Sequence, residues 1–287
     1  MKISDKFKSS EGKPVVSFEI FPPKKEDAFK NVGDMLSGLS KLKPAFISVT
    51  CGAGGSGGRR NKTIELASKI KNEFGIDSMA HLTCIASTAE SIADELAEME
   101  RVGIENVLAL RGDIPKDGFD VSKIEYHYAF ELIHKINTES GLCVAAAAYP
   151  EGHIDCDDLS SSVEFVKVKQ GAGAEFFVSQ LFFSNEYFYS FMEEAAKRGV
   201  TAPIIPGIMP MMTKNQITNM IFTCGASLPS AMIKLLNKYE NNPDDLLKAG
   251  IEYAGKQIND LSKHGVPGIH IYSMNKPEIA AQLIEYV

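Results

Sequence analysis

A chain of 287 residues with 44% hydrophobic content is long enough to bury one large core. Its net charge of -7, with Lys and Arg scattered rather than clustered, leaves no basic stripe for nucleic acid. Five cysteines (Cys51, Cys84, Cys143, Cys156, Cys224) without a C-x-x-C pair favour free thiols in a reducing compartment over disulfides or zinc. With no apolar run of ~18 residues and no signal-type segment, neither export nor a membrane span is expected, and a cytoplasmic location is.

Eight apolar, strand-like runs follow one another, each ending near a residue suited to chemistry or to a tight turn. VVSFEIF carries Glu19, FISVT ends at Thr50, SMAHLT carries His81, and NVLALRGD ends in Arg111, Gly112 and Asp113. VAAAAYPEGH carries Tyr149 and His153, EFFVSQLFF carries Gln180, PIIPGIMP carries Gly207, and GIHIYSMNK carries Tyr272 and Asn275. Helix-period segments lie between them. The first puts Phe29, Val32, Met35, Leu36 and Leu39 on one face, and the second Ile64, Ala67, Ile70 and Phe74. Thr88 is placed to N-cap a third, with Ile92, Leu96 and Met99 inward and Gly103 near its end. YAFELIHKI, SVEFVKVKQGAGA and NEYFYSFMEEAAKRG read as the next three. The stretch 213–263 exceeds one repeat and reads as two or three helices before the last strand, and a final helix covers 277–287. This rhythm predicts a single-domain (β/α)8 TIM barrel over 1–287, with extra helices before the last strand and an active site at the carboxyl ends of the strands.

Several motifs point elsewhere and are outweighed. CGAGGSGG contains a formal G-x-G-x-x-G (Gly52, Gly54, Gly57), but it follows the second strand, and the next helix is expected only after Arg59 and Arg60. A flexible glycine loop over the barrel mouth is the better reading. Arg111-Gly112-Asp113 spells a cell-adhesion tripeptide, set aside for a cytoplasmic chain. His270 lacks the second His of a metal-binding pair, and His127, His134 and His264 fall on predicted helices, so no metal site emerges.

What remains is one polar set at the strand ends: Glu19, Asp113, His81, Arg111, Thr50, Tyr149 and Gln180. A Glu inside VVSFEIF stands out, because desolvation would raise its pKa toward that of a general acid. A buried structural ion pair is the alternative.

The motifs SFEIFPPK, ISVTCGAGG, HLTC, LALRGD, AAAYPEGH, KQGAGA, QLFF, IPGIMP and HIYSMNK, in that order, resemble the methylenetetrahydrofolate reductase family from about Val15 to the C-terminus. The resemblance implies a (β/α)8 flavoprotein that uses FAD to reduce 5,10-methylenetetrahydrofolate to 5-methyltetrahydrofolate by a ping-pong route from NADH or NADPH. It implies Glu19 as general acid and Asp113 as the carboxylate beside pterin and flavin. FAD contacts are implied for Thr50, His81, Arg111, Gly112, Asp113, Tyr128, Ala129, Tyr149, His153 and Lys169, and substrate contacts for Gln180, Gln216, Met220 and Lys276. Four positions depart from the family pattern: Ser162 stands for a usual Asp, Phe165 for an Asn, Met220 for a stacking Phe and Lys276 for an Arg. These bear on FAD and folate affinity more than on reaction class. The resemblance further suggests a homo-oligomer, and leaves open NADH, NADPH or an electron-transfer partner subunit as donor. The rival functions are a flavin-free pterin-dependent one-carbon transferase, a Schiff-base lyase, and a non-catalytic barrel subunit of a larger complex.

Overall fold

The computed structural model describes residues 1–23, 32–51, 57–114 and 119–287. The apolar runs become the parallel strands β1 (Val15–Ile20), β2 (Phe46–Val49), β3 (Asp77–Thr83), β4 (Asn106–Leu110), β5 (Cys143–Ala148) and β6 (Phe176–Ser179). The ring is completed by β7 (Ile204–Ile205), β8 (Gly207–Ile208) and β9 (Gly268–Tyr272). Neighbours pair in sequence order from β1 to β7, while β9 lies between β1 and β8. β7 and β8 are two halves of one rung, split at Pro206, which has no N–H to continue a ladder. The result is a (β/α)8 barrel.

Strands that are apolar on both faces belong to two separate cores. Outward residues such as Phe18, Ile47, Val107 and Phe177 pack against the ring of helices, and inward Val15, Phe46, Met79, Leu108 and Phe176 fill the barrel. Full burial of each such side chain contributes about 1.5–3 kcal/mol. The split rung is stitched by Ser179: its Oγ accepts from the Gly207 N–H (2.9 Å), and its carbonyl accepts from the Tyr272 hydroxyl (2.7 Å). Gly207 has to be glycine, since a Cβ would lie 2.4 Å from the Ser179 carbonyl oxygen.

Eleven α-helices lie among the described residues. The second, α2 (Val32–Ser40), buries Val32, Leu36 and Leu39, while Phe29 lies outside the described residues. α3 (Gly57–Phe74) buries Ile64, Ala67 and Ile70. It begins at Gly57, before Arg59 and Arg60, because N–H groups in a first turn are unpaired anyway and glycine costs little there. The rest of the glycine loop, 52–56, lies outside the described residues. In α4 (Ala89–Arg101), Thr88 caps the Ser91 N–H while the Ser91 hydroxyl returns the bond, and Ile92, Leu96 and Met99 face inward. α5 (Ala129–Glu139), α6 (Leu159–Gly171) and α7 (Asn185–Lys197) match the expected repeats. The long connection holds three helices, α8 (Lys214–Cys224), α9 (Ser230–Lys238) and α10 (Pro243–Lys263), and α11 (Pro277–Ile284) closes the ring. Among the described residues no helix is long and apolar enough to cross a membrane.

The N-terminal helix α1 (Ile3–Ser9) is not visible in the sequence pattern. It plugs the amino-terminal end of the barrel: Ile3 is fully buried in the inner core, and the Phe7 ring lies 5.1 Å from that of Phe176. The Ile3 N–H donates to Asn106 Oδ1 (2.7 Å), and Lys6, Lys71 and the Met1 amine converge on Asp77. Burial alone would push the Asp77 carboxyl up, but these donors hold it well below the usual carboxylate range.

Candidate active site

Strand registry decides what meets inside the barrel. Glu19 on β1 is level with Ser48 on β2 and Tyr272 on β9, and Ser17, one layer deeper, is level with His270. At the mouth, Glu19 Oε2 lies 3.6 Å from His81 Nε2 and 3.8 Å from His270 Nε2. The Glu19 side chain is 19% exposed, less enclosed than its apolar run suggests, since it occupies the last interior layer. His81 is buried with Nε2 lacking a hydrogen-bond partner. Burial is the main reason its pKa falls to about 4, with Glu19 opposing and His270 assisting. Asn275 bonds the Phe21 backbone in both directions (3.0 and 2.8 Å) and pins the segment after β1 to the end of β9. It and Met274 both adopt left-handed backbone (φ 57 and 52), a strain of the sort held at functional sites.

Across the mouth, a cavity over β4, β5, α5 and α6 is lined by Arg111, Tyr128, Ala129, Tyr149, His153 and Lys169, six of the positions expected to bind cofactor. Lys169 is buried and donates to the Ala147 carbonyl (2.5 Å), and its amine lies 5.5 Å from the centre of the Tyr149 ring. Among the described residues no carboxylate pairs with it, and burial lowers its pKa to about 8. Burial also raises the Tyr149 hydroxyl to about 12, and depresses His153, whose Nδ1 accepts the Asp155 N–H (3.1 Å). Arg111 donates to Asp155 (2.6 Å), a partner that sequence reasoning missed. Ser162 is buried with its Oγ accepting the His153 N–H (3.1 Å), and Phe165 stacks on Tyr128, ring centres 5.7 Å apart. Gly112 has φ +83 and a Cβ there would meet Thr83 at 2.9 Å, so only glycine fits this bend.

Thr50, His81, Gly112 and Asp113 do not line that cavity, although all lie at the same end of the barrel. Asp113 is exposed and close enough to Tyr149, His153 and Cys224 to affect their titration, and Tyr272 feels Glu19, Cys224 and Tyr149 together. Glu19 and Asp113 thus act on neighbouring groups at the same end of the barrel. Gln180 lines a small adjoining pocket with Cys224, its Oε1 accepting the Leu181 N–H (2.9 Å). Gln216 is committed locally, accepting from the Met212 N–H (2.8 Å) and donating to the Pro210 carbonyl (3.3 Å). Met220 packs in the cluster under α8 and α9, and Lys276 is exposed at the start of α11.

A family model described as methylenetetrahydrofolate reductase matches residues 2–287. The chain belongs to the methylenetetrahydrofolate reductase family. The "5,10-methylenetetrahydrofolate reductase" of Escherichia coli is 30% identical over 270 residues, 94% of this chain and 89% of that protein. "Methylenetetrahydrofolate reductase (NADH) 1" of Arabidopsis thaliana is 33% identical over 299 residues, 99% of this chain but 50% of that protein. The chain thus spans about half the length of the plant relatives it matches. A solved structure from Clostridium thermocellum, titled as binding two copies of 5-methyl-5,6,7,8-tetrahydrofolic acid, shares the fold with TM-score 0.69 at 16% identity, covering 99% of this chain and 97% of its own. Asp155 was not among the expected site residues, His270 was considered only as a metal ligand and set aside, and Asn275 was signalled by its place at a strand end.

Proposed function

We infer that this chain reduces 5,10-methylenetetrahydrofolate to 5-methyltetrahydrofolate, with FAD as bound cofactor and NADH or NADPH as hydride source. The observation that carries this reading is Lys169, a buried amine that pairs with no carboxylate among the described residues, lining a cavity at the same mouth as Glu19. An unmatched buried cation is costly, and a pyrophosphate would supply the match. Arg111 would join it by exchanging Asp155 for phosphate oxygens in a bidentate geometry. Tyr128, Phe130 and Phe165 offer aromatic surface for a ring system. The residues present therefore fit the group. Ser162 brings no carboxylate to it, and its hydroxyl is engaged by the His153 backbone.

FAD would supply hydride chemistry in two separate half-reactions, one with the nicotinamide and one with the folate. Glu19 would protonate the folate N10, breaking its bond to the bridging methylene and leaving a 5-iminium cation as hydride acceptor. Asp113 would favour that cation by charge. Thr50, His81 and Gly112 would border the flavin, while Gln180, Gln216, Met220 and Lys276 would bind folate. In this role Lys276 keeps the charge but not the bidentate geometry of an arginine. Gln216 would have to release its loop bonds to reach substrate.

The test is anaerobic. Purified or FAD-reconstituted protein should bleach with NADH or NADPH and regain colour on adding methylenetetrahydrofolate. A protein that neither binds FAD nor regains colour would favour the flavin-free transferase. Comparing bleaching rates for the two nicotinamides identifies the donor.

A further inference from the structure

Among the described residues, His270 is a buried titratable group with no role in the proposed chemistry. His270 is fully enclosed in the barrel, one layer beneath Glu19, with the Phe46 ring stacked on it (centres 5.9 Å apart, 18°) and the Tyr272 ring edge-on. Its Nδ1 lies 2.7 Å from Ser17 Oγ, and its Nε2 lies 3.3 Å from Ser48 Oγ and 3.8 Å from Glu19 Oε2. Ser17 Oγ also lies 3.4 Å from the Ile269 carbonyl. That second acceptor lets the Ser17 hydroxyl point away from the ring and accept a proton-bearing Nδ1. Nε2 is then an acceptor, shared between the Ser48 hydroxyl at 3.3 Å and the Glu19 carboxyl at 3.8 Å.

We propose that His270 is a positioning residue that shares the acidic proton of Glu19, with Ser17 holding Nδ1 protonated so that Nε2 faces the carboxyl. With the proton present, the pair exists as carboxylic acid beside neutral imidazole or as carboxylate beside imidazolium, at equal net charge. The proton leaves through Glu19 to the folate N10, leaving carboxylate and neutral imidazole, and returns from solvent through the open mouth. The 3.8 Å gap is too long for a hydrogen bond, and such contacts commonly tighten when substrate binds. The other titratable groups facing this pair from the described strands are His81 on β3 and Tyr272 on β9. Burial keeps both neutral near pH 7, His81 by lowering its pKa to about 4 and Tyr272 by raising its own well above normal, and it is the Ser17 contact on Nδ1 that turns His270 Nε2 to the carboxyl.

This inference rests on Glu19 as the folate acid, but one of its tests does not. In ligand-free protein, the nitrogen resonances of His270 should show Nδ1 protonated throughout a pH titration. Nε2 should titrate with midpoints shared by the Glu19 carboxyl carbon, as coupled sites do. Glu19→Gln should move the His270 midpoint by about 1 unit or more. An unprotonated Nδ1, or a His270 titration indifferent to Glu19→Gln, would overturn the proposal. In half-reactions, His270→Gln should leave nicotinamide oxidation unchanged and move the alkaline limb of folate reduction down by about 1 pH unit or more. Ser17→Ala should move it the same way by less, and decides the matter if His270→Gln does not fold. Uniform slowing with an unmoved pH profile would mean that His270 only fills space. If wild-type protein never passes electrons to methylenetetrahydrofolate, the proposed function fails, while the resonance titration still decides proton sharing.

Discussion

At the amino-terminal end of the barrel, Asp77 receives Lys6, Lys71 and the Met1 amine, and Glu105 receives two of the same cations. At the carboxyl end, Lys169 is buried against a backbone carbonyl and the Tyr149 ring, with no carboxylate among the described residues, and His81 Nε2 makes no hydrogen bond there. Charges at the end that closes the fold are matched within the chain, whereas those at the proposed binding end are left short. An unmatched buried charge costs stability, and under the proposed function a bound ligand would relieve that cost.

The sharpest way to break this contrast is at Glu19. Glu19→Gln should keep nicotinamide oxidation and slow folate reduction on the order of 10²–10⁴, read by stopped-flow of each half-reaction. Equal losses in both halves would mean that Glu19 serves the cofactor instead.

Lys169→Met should weaken FAD binding about 10–100-fold by fluorescence titration, the worth of a charge-assisted bond. The same change should stabilise the ligand-free protein at pH 7 by about 1–2 kcal/mol. The sign follows from the folded amine titrating near 8, below its unfolded value near 10.4. The penalty is full below pH 8 and fades as pH rises to 10.4, so the two melting curves should converge there. A variant less stable than wild type at pH 7 would contradict the idea of a stored charge.

Gly207→Ala should cost about 2 kcal/mol in urea unfolding, because the added Cβ meets the Ser179 carbonyl and the Tyr272 hydroxyl at the split rung. Asp77→Asn should cost about 1–2 kcal/mol and leave both half-reactions intact. The folded carboxyl titrates below its unfolded value, so its contribution is complete above about pH 4 and disappears as pH falls further. The melting gap to wild type should narrow only in that acid range.

Much of the mouth was legible in the sequence. Glu19, His81, Arg111 and Gly112 each stand at or next to the end of an apolar run, and such runs end where a strand leaves the core. The cavity gathering Arg111, Tyr128, Tyr149 and Lys169 also follows the family resemblance. Asp155 was not legible, because it sits in an irregular segment and its ion pair with Arg111 spans 44 positions. The loop bonds of Gln216, a position the family resemblance assigns to substrate, were likewise not legible, because they depend on how the segment after Pro210 folds back on its helix. The helix before β1 was missed because ISDKFKS is too short to show a period, and its stability comes from tertiary packing.

The sequence by itself determined the repeat, the barrel and the strand ends that carry chemistry, because periodicity and turn residues act over a few positions. Only the tertiary structure decided which polar groups are satisfied. His270 was dismissed as a lone histidine until closure of the ring brought Ser17 and Ser48, 253 and 222 residues away, against its two nitrogens. Strand registry sets such meetings, and registry is a property of the closed sheet rather than of any one strand.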